Sequence, residues 1–376
     1  MQARFAASDA LLIPYGTGEN AVDVVGAFEE VGIEYAAIRK GCVLFDMPHT
    51  GTVEVRGSDR LAFLNNMVTQ QVSDLNEGVS RRSFWLNRKG RVDADMRLCG
   101  RADRVLMALD RHIAASTAES LAAYLFSEDA EISDVSATHH RMALHGVGAL
   151  SVLASACGSP NTAELDPGQN TKVTIAGVEV IAEREDLTGD PGIELCMPTE
   201  HAAAIYDELL KLRADAPSVK PVGWFAVNTA RIEAGQALYN TDFAGDNLPM
   251  ETGVIASRVD FKKGCYLGQE VVARMDARKV RKRGLVGLRI ITEDGEPAAL
   301  PSQGDRVFPA GDSAADPVGS VTSSTLAPMA SGASVAFAMI RDQETKPGTE
   351  LIVTAEGKRA RAVVQDSLAF WSRSGA

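Results

Sequence analysis

LFDMPHTGTVEVRGSDRLAFLNNMV, residues 44–68, changes its period part-way along. Val53 and Val55 alternate with polar neighbours, as in a half-buried strand, and Leu61, Leu64, Met67 and Val68 then recur at helical spacing. Ser58 stands where it can cap the helix. A strand that runs directly into a helix, repeated with antiparallel neighbours, makes a mixed fold. Downstream, WLNRKGRVDADMRLCG (85–100) reads as two short strands around a turn near Lys89 to Arg91, and RVLMALD from Arg104 as a third.

Further along, Ser116 and Glu119 form a capping box for a helix with Leu121, Tyr124 and Leu125 on one face. Thr199 is placed to cap another, carrying Ile205, Tyr206, Leu209 and Leu210. Between them, TKVTIAGVEVIAERE (171–185) alternates on both sides of Ala176 and Gly177 and predicts a hairpin. After Arg283 the helical period disappears. LVGLRI, SVAFAMI, ELIVTA and RARAVV are strand-like runs separated by turn residues, so residues 284–376 are expected to form a small all-β domain following residues 1–283. GEPAALPSQGD (295–305) reads as a surface loop.

Bulk properties narrow the function. A chain of 376 residues with 45% hydrophobic and 23% charged side chains can bury a sizeable core, which sets disorder aside. The formal charge of −12 disfavours nucleic acid as a partner outside a local basic patch. No run reaches the length of a membrane span, and the opening residues lack the apolar core of a secretory signal, so a cytoplasmic protein is expected. Cysteines 42, 99, 157, 196 and 265 are scattered and include no CxxC pair, and the six histidines show no HExxH spacing. Reduced thiols and no metal site follow.

KGCYLGQE, Lys263 to Glu270, is the most concentrated chemical signal. Cys265 lies between glycines, follows two lysines and precedes a helix expected to start near Gly268. Lysine charge and a helix N-terminus favour a thiolate, and glycines let another molecule approach, so an accessible, low-pKa thiol is expected. Arg274, Arg278, Lys279, Arg281, Lys282 and Arg283 follow directly, either as a solvated helix end or as an anion patch, less readily one for RNA.

The run resembles the KGC(Y/F)xGQE stretch of YgfZ-type proteins without departure at any of its eight positions. The rest of the chain resembles the wider glycine-cleavage T-protein (aminomethyltransferase) superfamily. LFDMPHTGTVEVRGSD, with Pro48 in place of the usual Ser, LTGDPGIEL (187–195), ARIEAGQALYNTDF (230–243) and VGSVTSSTLAP (318–328) each resemble a segment of it. The resemblance implies an α+β fold of three lobes around a central folate cavity. Residues 1–283 would hold two interleaved lobes, one approximately 50–138, and the last lobe would be a small β-barrel.

The same resemblance implies tetrahydrofolate, or a one-carbon derivative, as cofactor. It aligns Asp95 with the acidic residue facing the folate, Glu194 with the glutamate that anchors the pterin, and Arg231 with a neighbouring arginine. Lys263, Tyr266 and Gln269 are carried over as further cofactor-binding residues. A carboxylate can accept from the adjacent N–H and amino groups of a pterin, which suits Glu194. A carboxylate near N5 and N10 can stabilise a cationic one-carbon adduct or move a proton, which suits Asp95 as a catalytic group. Ala94 stands where the T-protein has a second Asp.

The YgfZ resemblance implies a folate-binding accessory protein that supports assembly or repair of iron-sulfur enzymes, with Cys265 meeting the partner. The superfamily implies the alternative, a tetrahydrofolate-dependent aminomethyltransferase or demethylase. Catalytic T-proteins carry an FIGRE-like segment, without the cysteine, in place of KGCYLGQE.

Overall fold

The computed structural model describes residues 1–6, 8–16, 21–212, 218–278, 280–291, 299–311 and 316–373. Lys279 and the first part of the 295–305 loop lie outside the described residues.

The opening stretch folds as strand Thr50–Arg56 followed by helix Arg60–Met67. Two details differ from the sequence reading. The strand is buried on both faces: Val53 and Val55 are fully buried, but so are Thr52 and most of Glu54, because arginines receive both polar side chains. Ser58 does not cap the helix. Asp59 occupies the cap position without a side-chain bond, and the Ser58 hydroxyl donates to Asp129 at 2.8 Å instead.

Two other caps also moved. The helix expected from Ser116 begins earlier, at Arg111, where Asp110 accepts from the His112 amide at 2.8 Å; it ends at Ala122, before Tyr124. Ser116 is therefore an interior residue, bonded back to Ile113 O. Helix Ala202–Lys211 has no side-chain cap, and the Thr199 hydroxyl donates to Ala137 O. In each case a neighbour three or more residues away took the hydroxyl, a competition that local spacing does not reveal. The 171–185 hairpin forms as expected, with Ala176 and Gly177 both at positive φ, as a tight two-residue hairpin turn requires.

Among the described residues the strands form three sheets and a barrel. Five antiparallel strands lie in the order Ser80–Leu86, Val92–Gly100, Arg104–Asp110, Thr50–Arg56, Glu131–Asp134. Six more lie in the order Asn170–Ile175, Val178–Arg184, Gly192–Pro198, His139–His145, Val43–Asp46, Lys220–Val222, with only the last pair parallel. A small hairpin pairs Leu11–Tyr15 with Val22–Ala27. The main apolar core gathers on the six-stranded sheet and includes Leu44, Leu144, Ile193, Ile205 and Leu209.

The C-terminal strands close into a six-stranded barrel, Arg283–Ile290, Ala333–Arg341, Gly319–Ala327, Arg306–Pro309, Glu350–Ala355 and Lys358–Val364. Closure removes the open edges that a sheet this small would otherwise expose. Val286, Leu288, Ile340 and Val353 fill it.

The chain divides into two compact units. The first holds Met1–Trp85, Ala94–Asn228 and Arg258–Tyr266; the second holds Leu86–Asp93, Thr229–Ser257 and Leu267–Ala376, the barrel included. KGCYLGQE thus straddles a boundary. No helix among the described residues is long and apolar enough to cross a membrane.

Candidate functional site

Alternation along strand Val92–Gly100 sets the site within the first unit. Ala94, Met96 and Leu98 are fully buried on one face, and Asp95 and Arg97 share the other. Their polar side chains are themselves sequestered: the Asp95 side chain is only 6% exposed and meets the Arg258 guanidinium through Nε at 3.3 Å and a terminal nitrogen at 3.4 Å. That fork is long for a charge-assisted pair, so the carboxylate keeps accepting capacity.

Arg97 sits among three glutamates. Its Nε lies 2.7 Å from Glu183, one terminal nitrogen lies 3.3 Å from Glu185, and the other bonds Glu194. Glu183 and Glu194 are directly opposite on neighbouring strands, a like-charge juxtaposition that a sheet tolerates only with cations between them. Arg141 supplies the second cation, 3.0 Å from Glu194 Oε2, and is itself held by the Thr52 hydroxyl at 2.9 Å. Both arginines take the same oxygen, leaving Glu194 Oε1 without a hydrogen bond among the described residues.

Burial pushes the Glu194 carboxyl upward, but Arg97 and Arg141 outweigh it and hold the group below the usual range. Glu185 follows the same pattern: burial opposes ionisation, Arg82 and Arg97 overcome it, and the group is held at about 2. Arg82 bonds Glu185 at 2.5 Å and also feels the Asp95 charge. Asp95 and Glu194 are therefore joined in one charged network through Arg82, Glu185 and Arg97. His145, on the strand beside Glu194, is buried with neither ring nitrogen hydrogen-bonded among the described residues, and burial lowers it to about 4.

The KGC segment presents its cysteine at the surface and opens the next helix at Gln269, as expected, and its lysine turns inward. The Lys263 ammonium donates to three backbone carbonyls, of Asn65 at 2.6 Å, Val68 at 2.7 Å and Gln70 at 3.0 Å. It thereby satisfies carbonyls left over at the end of helix Arg60–Met67. Burial lowers this amine to about 8. The Tyr266 ring lies 5.3 Å from that ammonium and is mostly buried, which pushes its hydroxyl up to about 12. Between these two anchors Cys265 is exposed, and a Cβ added to Gly264 would meet nothing within 4 Å. Gln269 begins the next helix, Gln269–Arg278, in the second unit.

Arg231 also belongs to the second unit. It is fully buried, bonded to Asp242 and, at 2.6 Å, to the Ser323 hydroxyl, with the Phe337 ring 5.6 Å away. Among the described residues no group of histidines, cysteines and carboxylates could hold a metal ion.

Sequence reasoning singled out Asp95 and Glu194 but missed Arg82, Arg97, Arg141, Glu185 and Arg258. One signal was available: Asp93, Asp95 and Arg97 occupy every second position against buried apolar partners, which marks a polar face turned toward other polar groups.

Two regions of the chain match known families. Residues 2–263 match the GCVT N-terminal domain, and residues 283–370 match the glycine cleavage T-protein C-terminal barrel domain. The chain belongs to the glycine cleavage T-protein superfamily. Similar proteins include the aminomethyltransferase of Caldanaerobacter subterraneus subsp. tengcongensis, 28% identical over 343 residues and covering 90% of this chain and 87% of that one. The aminomethyltransferase of a Geobacillus species is 28% identical over 338 residues, covering 90% and 89%. In fold, the chain is similar to the glycine cleavage system aminomethyltransferase T of Bartonella henselae, with a TM-score of 0.84 at 24% identity over 98% of this chain and 96% of that one. The α+β fold with a terminal barrel is thus the T-protein fold.

Proposed function

We propose that this protein is a tetrahydrofolate-dependent one-carbon transferase, an aminomethyltransferase or a demethylase. The observation that carries the reading is the pair Asp95 and Glu194, two sequestered carboxylates from different strands tied into one arginine network, each with accepting capacity left over. That donor set fits a reduced pterin. Glu194, held ionised by two guanidiniums, offers Oε1 to an N–H edge, and the arginines keep the carboxylate from turning.

Bound tetrahydrofolate would supply the nitrogens that accept the one-carbon unit. Asp95 contributes a fixed negative charge where cationic character develops and a base that can take one proton; Arg258 orients it through one long bond to each oxygen, and each oxygen keeps a further lone pair. Ala94 is fully buried with its side chain in the apolar layer, so a single carboxylate performs this role on the strand. Water is kept out by the same burial, which strengthens every charge in the network.

The test is turnover. The purified protein is incubated with tetrahydrofolate and small aminomethyl or N-methyl donors, and methylene- or methyl-tetrahydrofolate is measured. Asp95→Asn is expected to reduce kcat by about 10²–10⁴-fold with folate binding retained. Glu194→Gln should weaken binding instead. Wild-type protein that binds folate but never forms a one-carbon product would refute the enzymatic reading.

The exposed thiol favours a second reading. Cys265 is held out between two anchored residues, and nothing in the carboxylate network uses it. In that reading the chain is a folate-binding accessory protein for iron-sulfur enzymes, and Cys265 meets the partner. Cys265→Ala would then leave folate binding intact while abolishing support of the client enzyme.

A further inference from the structure

The cation that meets Asp95 comes from a stretch, residues 258–266, that forms neither helix nor strand. A long side chain on an irregular stretch holds its partner in place only if its own backbone is fixed from elsewhere. Arg258 reaches the two Asp95 oxygens at 3.3 and 3.4 Å, close to the outer limit of a hydrogen bond, so a small outward displacement breaks the fork.

Thr69, fully buried just beyond helix Arg60–Met67, supplies the fixing. All its polar groups are committed. The amide donates to the Phe84 carbonyl at 3.1 Å, and the carbonyl accepts from the Asp260 amide at 3.1 Å. The hydroxyl accepts from the Phe84 amide at 3.0 Å and donates to the Arg258 carbonyl at 2.7 Å. Phe84 belongs to strand Ser80–Leu86, whose hydrogen-bonded neighbour in the sheet is Val92–Gly100, the strand of Asp95. The contacts therefore close a circuit within the first unit. It runs from Asp95 across two paired strands to Thr69, on to the Arg258 backbone and out along its side chain to Asp95 again.

Lys263 tightens the same join. Its ammonium donates on both sides of Thr69, to the carbonyls of Asn65, Val68 and Gln70. All three protons go to main-chain oxygens, so a buried cation sets the position of backbone here.

We propose that Thr69 and Lys263 are positioning residues, which hold residues 258–263 where the Arg258 fork spans both oxygens of Asp95. The assignment rests on the proposed transferase reading only for what Asp95 does there.

Nuclear magnetic resonance of the intact protein, with isotope-labelled arginine, reads the clamp without any folate. The Arg258 Nε–H signal is assigned by its loss in Arg258→Gln. Its exchange with water should be at least about tenfold faster in Thr69→Val, which keeps the side-chain shape and removes the hydroxyl, and close to the wild-type rate in Thr69→Ser. Lys263→Met should speed the exchange too, and circular dichroism checks that each variant is folded. In turnover assays Thr69→Val should lower kcat by about 10- to 100-fold with little change in KM for tetrahydrofolate. In an Arg258→Gln background the same change should have no further effect on kcat, whereas a merely structural threonine would act in both backgrounds. Unchanged Nε–H exchange in folded Thr69→Val or Lys263→Met overturns the assignment, as does an equal loss of kcat from Thr69→Val with and without Arg258. Absence of turnover in the wild type, with the Arg258 signal still responding to both changes, would sink the transferase reading and leave the clamp standing.

Discussion

Replacing Arg97 with methionine tests the central claim about the carboxylate network. The side chain keeps much of its length and apolar surface, so packing changes little and the charge is the main loss. The three glutamates around Arg97 are not equally exposed to that loss. Glu185 retains Arg82 and Glu194 retains Arg141, but Glu183 has Arg97 as its ion-pair partner and is buried to within 3% of its side chain. One carboxylate is stranded rather than three.

Breaking a single buried pair costs about 3–5 kcal/mol, and that is the expected destabilisation. For a folding unit of this size each kcal/mol lowers the melting temperature by about 2–4 °C, giving a fall of about 6–20 °C. Differential scanning calorimetry with urea titration reads both quantities. The decisive arm is the double variant Arg97→Met/Glu183→Gln, in which the stranded charge is removed. It should recover more than half of the lost stability, the signature of direct coupling. A cost below about 1 kcal/mol in the single variant, or a double variant no more stable than the single one, would refute the reasoning.

Two further outcomes follow from burial. His145 is held near 4, below its ordinary 6.5, so between those values the unfolded chain binds more protons than the folded one; stability is full above about 6.5 and declines by up to about 3 kcal/mol as the pH falls toward 4. Urea midpoints across that window should show the slope in the wild type and a flatter one in His145→Leu; equal slopes would remove His145 as the cause. Among the thiols, Cys265 should be alkylated first in the folded protein, because Cys42, Cys99 and Cys196 are buried and burial pushes the Cys42 thiol up to about 12. Mass spectrometry after brief iodoacetamide treatment checks it, and labelling of Cys157 ahead of Cys265 would contradict it.

Periodicity was enough to locate part of the secondary structure, while the hairpin of Leu11–Tyr15 with Val22–Ala27 and the helices Val31–Lys40 and Ala149–Cys157 went unread. The strand and helix at 50–67, the hairpin around Ala176 and Gly177 and strands after Arg283 each bury apolar side chains at a regular interval, even where their pairing partners are distant in sequence. That interval leaves a repeat of two or of about 3.6 that can be read without the fold. Helix starts were less legible. Ser58, Ser116 and Thr199 each had the right chemistry for a cap, but a more distant acceptor took the hydroxyl of two of them.

The site divides along the same line. Asp95, Glu194 and Cys265 were identifiable because short motifs surround them. Their surroundings were not, since Arg97 meets Glu183, Glu185 and Glu194 only after two sheets have brought strands nearly a hundred residues apart together. Lys263 shows the difference most plainly. The resemblance carried it over as a cofactor-binding residue, and no local pattern foretold that its ammonium donates to three carbonyls in and just after a helix about two hundred residues earlier. What the sequence alone determined is the order of the elements it revealed, an all-β C-terminal region and the residue types able to do chemistry, because these depend on local period and composition. Which charges face one another, which remain free and which are committed to holding the backbone was decided by tertiary structure, because burial and pairing arise only when distant segments meet.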